Sequence, residues 1–237
     1  MDKINKIILN CENISKQFGF FFALNKISFT VNESTILGIV GANGAGKTTL
    51  INILSGLSAP TTGKILIKGM NYKVDERNIK RFIGTITSKS FLYEELSIYE
   101  NLKFFSKLYA IYDKVETSKI IEQVAANFNL SDWLYEPVSY LSTGMKQKVE
   151  IMRVLIHDPS ILFLDEPFSG LDFNTINMLI TMLINLKEKK NLTLVFTSHN
   201  IELIRRISDA ILILKRGKIS KLVPKDEIDE IKIESYY

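Results

Sequence analysis

A glycine-rich run near the start of the chain has the spacing G-x-x-x-x-G-K-[ST] of a phosphate-binding loop. Its residues are Gly41-Ala42-Asn43-Gly44-Ala45-Gly46-Lys47-Thr48-Thr49. Backbone N–H groups at a helix N-terminus attract anions, and glycine lets the backbone approach phosphate oxygens closely. Lys47 adds a positive charge for the β and γ phosphates, and the Thr48 hydroxyl can ligate Mg²⁺. The run therefore predicts a site for a nucleoside triphosphate.

Two carboxylates end a second apolar run, Ile161 to Leu164, which predicts a buried strand. Ligands of open α/β sheets bind at the C-terminal ends of the strands. Asp165 is therefore placed to hold Mg²⁺ through water, and Glu166 is placed to polarise an attacking water. His199 follows another predicted strand, Leu192–Thr197, next to the expected γ-phosphate. A single histidine is more often structural, so its position alone leaves open whether His199 has a structural role or contacts the nucleotide.

A second anion site is predicted where a helix over 142–156 begins. Ser142 can cap this helix, and the free N–H groups of its first turn can bind an anion together with the nearby Gly144. Capping alone explains the serine, so both interpretations stay open from the residues themselves.

The composition is that of an ordinary soluble globular protein: 237 residues, 46% apolar and 24% charged, with a formal charge of +4. Basic and acidic residues are interspersed, so we expect no nucleic-acid partner. Cys11 is the only cysteine, which excludes an intrachain disulfide and a cysteine-based metal site. The polar N-terminus predicts no signal peptide, and no apolar run approaches the roughly 18 to 20 residues of a transmembrane helix. If the protein works at a membrane, another chain must supply the span.

The elements that must position these residues alternate between strands and helices, which predicts an α/β fold with a mostly parallel sheet. We expect one domain over residues 1–237, with a helical subdomain inserted at about 90–157. The phosphate loop is expected between a strand at 35–40 and a helix at 50–55. The other predicted strands are 7–13, 24–31, 64–68, 82–86, 210–214 and 218–223, and the other predicted helices are 98–110, 116–127, 174–189 and 200–207, before a helical or frayed tail at 225–237.

The order of the motifs resembles that of the ATPase subunit of ATP-binding-cassette (ABC) transporters. The resemblance rests on five motifs: the G-x-x-x-x-G-K-T loop, the Leu-Ser-x-Gly helix start at 141–144, the Asp-Glu strand end, a Ser-Gly-Leu-Asp turn at 169–172, and Ser198-His199. The match covers about residues 7–223. The resemblance implies a P-loop NTPase with a RecA-like, mostly parallel sheet core, an N-terminal antiparallel β subdomain and an inserted helical subdomain. It also implies ATP and Mg²⁺ as cofactors.

The family implies roles for residues within one chain. Phe18 matches the aromatic position that stacks on adenine, His199 the switch histidine that contacts the γ-phosphate, and Glu166 the catalytic base. Lys47 joins His199 and Glu166 as the catalytic set. The loop residues that would bind the nucleotide are Gly41, Asn43, Gly44, Ala45, Gly46, Lys47, Thr48 and Thr49.

The family also implies partners. Two such subunits sandwich two ATP molecules head to tail, each between the Lys47 loop of one subunit and the Ser142 helix start of the other. Ser142 and Gly144 would contact the γ-phosphate, and Asp172 would lie at the dimer seam. ATP closes the dimer and hydrolysis opens it, which changes the access of attached membrane domains. We therefore expect a second ATPase subunit, a polytopic permease, and a peripheral location on the cytoplasmic face of the cell membrane.

The chain departs from the family pattern at two places. Thr143 and Met145 replace a glycine and the glutamine of the family signature Leu-Ser-Gly-Gly-Gln. Ser88 occupies the position of the usual glutamine after the strand at 82–86. The Ser88 hydroxyl can reach a Mg²⁺-bound water, but with a shorter reach than glutamine. Its surroundings look like exporters whose ATPases also lack this glutamine, among them the heme exporters of cytochrome c maturation, and residues 143–148 resemble exporters with separate six-helix membrane subunits. The resemblance thus favours export of heme or of a drug-like, lipophilic cargo.

Two alternatives explain part of the pattern. A soluble ABC-type ATPase could act as an assembly factor or clamp without a membrane partner. A small-molecule kinase would explain the phosphate loop, but it would not explain the helix start at Ser142 or the Asp165-Glu166 pair.

Overall fold

The computed structural model describes residues 6–109 and 114–232. The strands in this part of the chain are β1 (Ile7–Phe18), β2 (Phe21–Asn32), β3 (Ile36–Val40), β4 (Thr62–Ile67), β5 (Met70–Asn71), β6 (Ile83–Ile86), β7 (Ile161–Asp165), β8 (Thr193–Thr197), β9 (Ala210–Lys215) and β10 (Lys218–Pro224). The α-helices are α1 (Lys47–Leu54), α2 (Tyr72–Ile79), α3 (Ile98–Leu108), α4 (Lys114–Asn127), α5 (Thr143–Leu155), α6 (Phe173–Lys190) and α7 (Ile201–Ile207). Short 3₁₀ turns lie at Ser131–Trp133, Val138–Tyr140 and Lys225–Glu227.

A six-stranded sheet forms the centre of the fold, in the order β10-β9-β3-β8-β7-β6. All neighbouring pairs from β9 to β6 are parallel, and only β10 is antiparallel. Every residue of β3, β7 and β8 is buried, as continuous apolar strands covered on both faces require. The C-terminal ends of these three central strands therefore meet at one edge of the sheet.

A second, antiparallel sheet has the order β2-β1-β4-β5. It confirms the expected antiparallel β part near the N-terminus. Helix α1 lies between the two sheets, and its buried face (Leu50, Ile51, Ile53 and Leu54) belongs to one apolar core with residues from both. This packing fixes the phosphate loop, which leads into α1, against both sheets.

Helices α3, α4 and α5 lie between β6 and β7 in chain order, within the predicted insertion at 90–157. Helix α3 begins with a capping box, in which the Ser97 hydroxyl accepts from the N–H of Glu100 and the Glu100 carboxylate accepts from the N–H of Ser97. The buried Asn101 amide donates to the carbonyls of Tyr93, Leu96 and Ser97. These bonds hold the segment before α3 in one conformation.

The structure corrects several predicted boundaries. Strands β1 and β2 extend to Phe18 and from Phe21, beyond the predicted bounds of 7–13 and 24–31, so the aromatic residues between those bounds lie at the end of a β-hairpin. Helix α1 begins at Lys47, not at Leu50, because Gly46 in the left-handed conformation starts it. Helix α2 was not predicted, since it is short, mostly polar and kinked at Asp75. The last residue of the predicted helix 98–110 and the end of the predicted tail lie outside the described residues.

Candidate nucleotide-binding and hydrolysis site

The phosphate loop leaves β3 at Val40 and ends where α1 begins at Lys47. Gly46 precedes the helix with a φ of 106°, and a Cβ atom there would stand 2.6 Å from the carbonyl oxygen of Ala23. Only glycine fits this position. No side chain caps the helix and its first turn holds no acidic residue, so the N–H groups and the positive end of its dipole remain available to an anion.

Backbone hydrogen bonds hold the loop to its neighbours. The N–H of Gly217, in the β9–β10 turn, donates to Ala45 (3.0 Å), and the N–H of Asn25 donates to Gly217 (2.8 Å). The Lys47 Nζ donates to the carbonyl oxygens of Gly41 (2.7 Å) and Ala42 (3.2 Å), which keeps the ammonium group over the loop. The loop thus has a defined shape, with its exposed apex at residues 42–44.

Asp165 ends β7 and is buried, and the Thr197 hydroxyl at the end of β8 donates to its carboxylate (2.7 Å). The same hydroxyl accepts from the N–H of Glu166 (2.9 Å). The sheet register pairs Thr197 with Asp165 on one side and with Ile39 on the other. At about 4.8 Å between strands, this row brings Asp165 to about 10 Å from the strand that feeds the phosphate loop.

Glu166 and His199 form a pair at this edge. The Glu166 Oε2 lies 3.0 Å from the His199 Nδ1 and also accepts, at 3.4 Å, from the His199 N–H. Glu166 has a φ of 51°, a left-handed conformation that costs a non-glycine residue about 1 kcal/mol. This turn directs the chain away from β7, so that adjacent residues present one buried carboxylate, Asp165, and one accessible carboxylate.

The structure brings these four side chains (Asp165, Glu166, Thr197 and His199) together beside the phosphate loop. The buried Asp165 carboxylate is a hard oxygen ligand suited to Mg²⁺, and the accessible Glu166 carboxylate, which bonds to His199, is suited to accept a proton from water. Thr197 was missed by the sequence analysis, because its role depends on the β7–β8 register.

The other predicted residues lie elsewhere in the chain. Ser142 caps α5 by accepting from the N–H of Met145 (3.3 Å), and the α5 residue Gln147 donates to the carbonyl oxygen of Pro167 (2.9 Å). A Cβ atom at Gly144 would meet nothing closer than the Thr175 hydroxyl at 3.8 Å, so the backbone of this helix start is open to a ligand. The first turns of α5 thus contact the segment after β7 through Gln147 and the segment before α3 through Lys146, whose Nζ lies 2.8 Å from the Glu94 carboxylate.

Asp172 caps α6 by accepting from the hydroxyl (2.7 Å) and the N–H (3.0 Å) of Thr175, and these bonds hold the pKa of its carboxyl below the ordinary value. Phe18 is exposed at the tip of the β1–β2 hairpin, with the Lys16 Nζ 5.2 Å from its ring centroid. Ser88 is exposed in the loop after β6.

A buried ion pair, also missed from the sequence, fixes the loop that carries Ser88. The Arg153 Nε donates to the Glu150 Oε2 (2.7 Å), and the other carboxylate oxygen accepts from the Ser90 hydroxyl (2.7 Å) and the Phe91 N–H (2.8 Å). Arg153 also donates to the carbonyl oxygen of Thr85 (2.9 Å). The available signal was an opposite-charge pair three residues apart on the otherwise apolar face of α5.

His157 has a structural environment. Its Nε2 lies 2.9 Å from the carbonyl oxygen of Ile83, and its ring stacks on Tyr109 with centroids 3.6 Å apart. Burial lowers its pKa to about 4. Within residues 6–109 and 114–232, no helix is long and apolar enough to cross a membrane, and no group of three or more His, Cys, Asp or Glu residues could hold a metal ion.

Comparisons of the sequence with a family model and with known proteins all indicate the same family. The model of the family described as ABC transporter matches residues 24–169. An uncharacterised ABC transporter ATP-binding protein of Methanocaldococcus jannaschii is 37% identical over 89% of this chain and 75% of its own length. The bacitracin transport ATP-binding protein BcrA of Bacillus licheniformis is 33% identical over 93% of this chain and 71% of its own. The sulfate/thiosulfate import ATP-binding protein CysA of Pectobacterium atrosepticum is also 33% identical, over 93% and 67%.

Solved structures agree with these relatives. An ATP-binding subunit of an ABC transporter superposes with a TM-score of 0.85 at 28% identity, over 94% of this chain and 92% of that one. A dimeric ATP-binding cassette in a post-hydrolysis state, bound to ADP and phosphate, superposes with a TM-score of 0.84 at 26% identity, over 92% and 98%.

Proposed function

The chain belongs to the family of ABC transporter ATP-binding proteins, and we propose that it hydrolyses ATP between two such chains to drive export through a separate membrane protein. As a member of this family it is an ATP-binding ATPase subunit of a transporter. The observation that carries the proposed chemistry is the Glu166–His199 pair beside the buried Asp165, which lies two strands away from the strand that feeds the phosphate loop. Residues 1–237 would act as one ATPase domain.

In the proposed mechanism the α1 N-terminus and Lys47 bind the phosphates of ATP, because they combine free N–H groups with a positive charge. Thr48 and Asp165 would hold Mg²⁺, and Ser88 would contact it through water. Mg²⁺ neutralises charge on the β and γ phosphates when it is bound. Phe18 would stack on the adenine.

Glu166 is the proposed general base and would accept a proton from the attacking water. The His199 ring holds the Glu166 carboxylate at 3.0 Å and would itself contact the γ-phosphate. Thr197 fixes the start of this segment, since its hydroxyl bonds to both Asp165 and the Glu166 N–H. The general base therefore has its backbone and its carboxylate held from two sides.

The second copy would complete the site with Ser142 and Gly144. Three features of the α5 start support this role: Ser142 is exposed, the first turn holds no acidic residue, and the space around Gly144 is open. Asp172 would lie at the seam, with its exposed carboxylate oriented by the hydrogen bonds from Thr175, which also lower its pKa. The similar cassette that was solved as a dimer with ADP and phosphate supports a two-chain arrangement.

The permease would dock in a groove of about 550 Å³ between α2, β6 and α3. Its wall includes the exposed apolar side chains of Leu57, Phe91 and Leu108 and the basic residues Arg77, Lys80 and Arg81. These features suit an amphipathic helix that carries acidic residues. Phe91 lies three residues after Ser88, so a helix in this groove would contact the loop that leads to the nucleotide. The chain would then be held at the cytoplasmic face of the cell membrane.

Export is supported by Ser88 in the glutamine slot and by the Thr143–Lys148 start of α5. The bacitracin transport protein is in line with this direction, whereas the sulfate import protein is equally similar, so the comparisons alone do not decide it. The proposed cargo is lipophilic, such as heme or a drug-like compound.

The test is to identify the membrane protein that copurifies with this chain and to reconstitute the complex in liposomes with the ATPase facing outward. Export predicts ATP-driven uptake of the cargo into the lumen, and Glu166→Gln should abolish it. ATP-driven release of preloaded cargo would overturn the export direction. Copurification with soluble proteins alone would instead indicate a soluble ABC-type assembly factor.

A further inference from the structure

The tip of the β1–β2 hairpin exposes four phenylalanines within five residues. Phe20 is fully exposed, and Phe18, Phe21 and Phe22 are 56%, 64% and 46% exposed. The fold core uses none of these rings. A cluster of exposed apolar side chains on a soluble domain usually marks a binding surface.

The strand register divides these rings between the two faces of the hairpin. Phe18 pairs directly with Phe21, and the preceding pair joins Gln17 with Phe22. Directly opposed residues of antiparallel strands lie on the same face with Cβ atoms about 5 Å apart, and successive residues lie on opposite faces. Phe18 and Phe21 are therefore adjacent on one face, and Phe22 lies on the other.

The face with Phe18 and Phe21 continues toward the phosphate loop. Lys16 shares the face of Phe18, as its Nζ over the Phe18 ring indicates. The register shifts by one residue between Gln17 and Lys16, so that Lys16 pairs with Leu24 and not with Ala23, and this β-bulge brings Leu24 to the same face as Phe21. A Cβ atom at Gly46 would stand 2.8 Å from the Leu24 Cδ2, so Leu24 packs directly on the loop. Phe21 is three residues away, which is about 10 Å along a strand. This separation suits a nucleotide whose phosphates lie on the loop and whose base lies on the hairpin.

We propose that Phe21 is a second base-contacting residue, which together with Phe18 forms a two-ring platform for a purine. This inference rests on the proposed function, because it takes Phe18 as the residue that stacks on the base. A purine has two fused rings and can cover both phenyl rings, whereas a pyrimidine covers one. The hairpin thus raises the affinity for a nucleoside triphosphate and favours a purine base over a pyrimidine base.

The experiment compares the binding of ATP, CTP and inorganic triphosphate to the intact chain and to four variants by calorimetry. Phe21→Ala should weaken the binding of ATP roughly five- to tenfold, the low end of what the loss of one stacking contact costs. Its affinity for inorganic triphosphate should not change, which also shows that the variant is folded. The binding of CTP to Phe21→Ala should weaken less than twofold. Phe22→Ala is the matched control on the opposite face and should stay within about twofold for all three probes, and Phe21→Tyr should retain ATP binding.

The outcomes separate this proposal from the proposed function. If Phe18→Ala weakens ATP while Phe21→Ala behaves like Phe22→Ala, the second ring is refuted and the Phe18 assignment stands. If neither Phe18→Ala nor Phe21→Ala weakens ATP, the base does not bind on this hairpin, and both assignments are overturned.

Discussion

Replacement of Thr197 by valine tests whether one hydroxyl organises the hydrolysis site. The side chain is fully buried and bonds to both the Asp165 carboxylate (2.7 Å) and the Glu166 N–H (2.9 Å). Valine keeps the shape but removes both bonds. At about 1 to 2 kcal/mol for each bond lost at a buried site, Thr197→Val should lower the free energy of unfolding by about 2 to 4 kcal/mol.

The same change should also slow hydrolysis. Without the bond to its N–H, the Glu166 segment is less firmly placed, and a displacement of a catalytic group by about 1 Å costs on the order of 100-fold. We therefore expect kcat at saturating ATP to fall about 10- to 100-fold, with little change in the affinity for ATP. Urea unfolding measures the stability, and phosphate release measures kcat.

Two variants control this experiment. Thr197→Ser keeps the hydroxyl and should keep kcat within about threefold. Thr193→Val removes a buried hydroxyl from the same strand, one that accepts from the Ser34 N–H (3.0 Å) far from the site. It should cost about 1 to 2 kcal/mol of stability without a loss of kcat. An unchanged kcat in Thr197→Val, or an equal fall in Thr193→Val, would refute the role given to Thr197.

Three further predictions concern other groups. Glu166→Gln should lower the hydrolysis rate by at least about 100-fold and accumulate an ATP-bound dimer in size-exclusion chromatography, and a normal rate would contradict its role as the base. Ser88→Ala should reduce hydrolysis less than Lys47→Ala does, whereas equal losses would show that Ser88 fully replaces the usual glutamine. Burial lowers the pKa of His157 to about 4 in the folded protein, from an ordinary value of about 6.5. Between these two pH values the unfolded chain binds a proton at His157 that the folded protein does not, so the free energy of unfolding should fall as the pH drops from about 6.5 to about 4. His157→Phe keeps the stacking on Tyr109 and should remove this part of the pH dependence of urea unfolding, and an unchanged profile would contradict the assignment.

Residues that belong to a local strand–turn pattern could be predicted from the sequence. The phosphate loop follows a short apolar strand and starts a helix, and Asp165 and Glu166 end another apolar strand. His199 follows a third. Each prediction needed only the residues on either side, because the C-terminal ends of parallel strands meet at one edge.

Residues whose role depends on contacts between distant segments could not be predicted. Thr197 acts across a strand pair and Glu150 acts on a loop 60 residues earlier in the chain, so neither has a local signature. Helix α2 has few apolar residues and buries only Ile79, so its cap, the Asn71 side chain, is its main local signal. The full length of β1 and β2 was missed because the hairpin end is exposed, so its residues lack the alternation of apolar and polar side chains that marks a half-buried strand.

The Glu150–Arg153 pair ties the loop after β6 to α5, and it thereby joins the two ends of the intervening chain. A segment whose ends are held together can change in length at a small entropic cost, about 0.6 kcal/mol for a doubling. We therefore expect changes of length within residues 92–140 to leave the strands and the phosphate loop in place when the apolar residues that this segment adds to the core of the central sheet are kept. Such changes would offer a route by which one hydrolysis machinery acquires new membrane partners in evolution or by engineering.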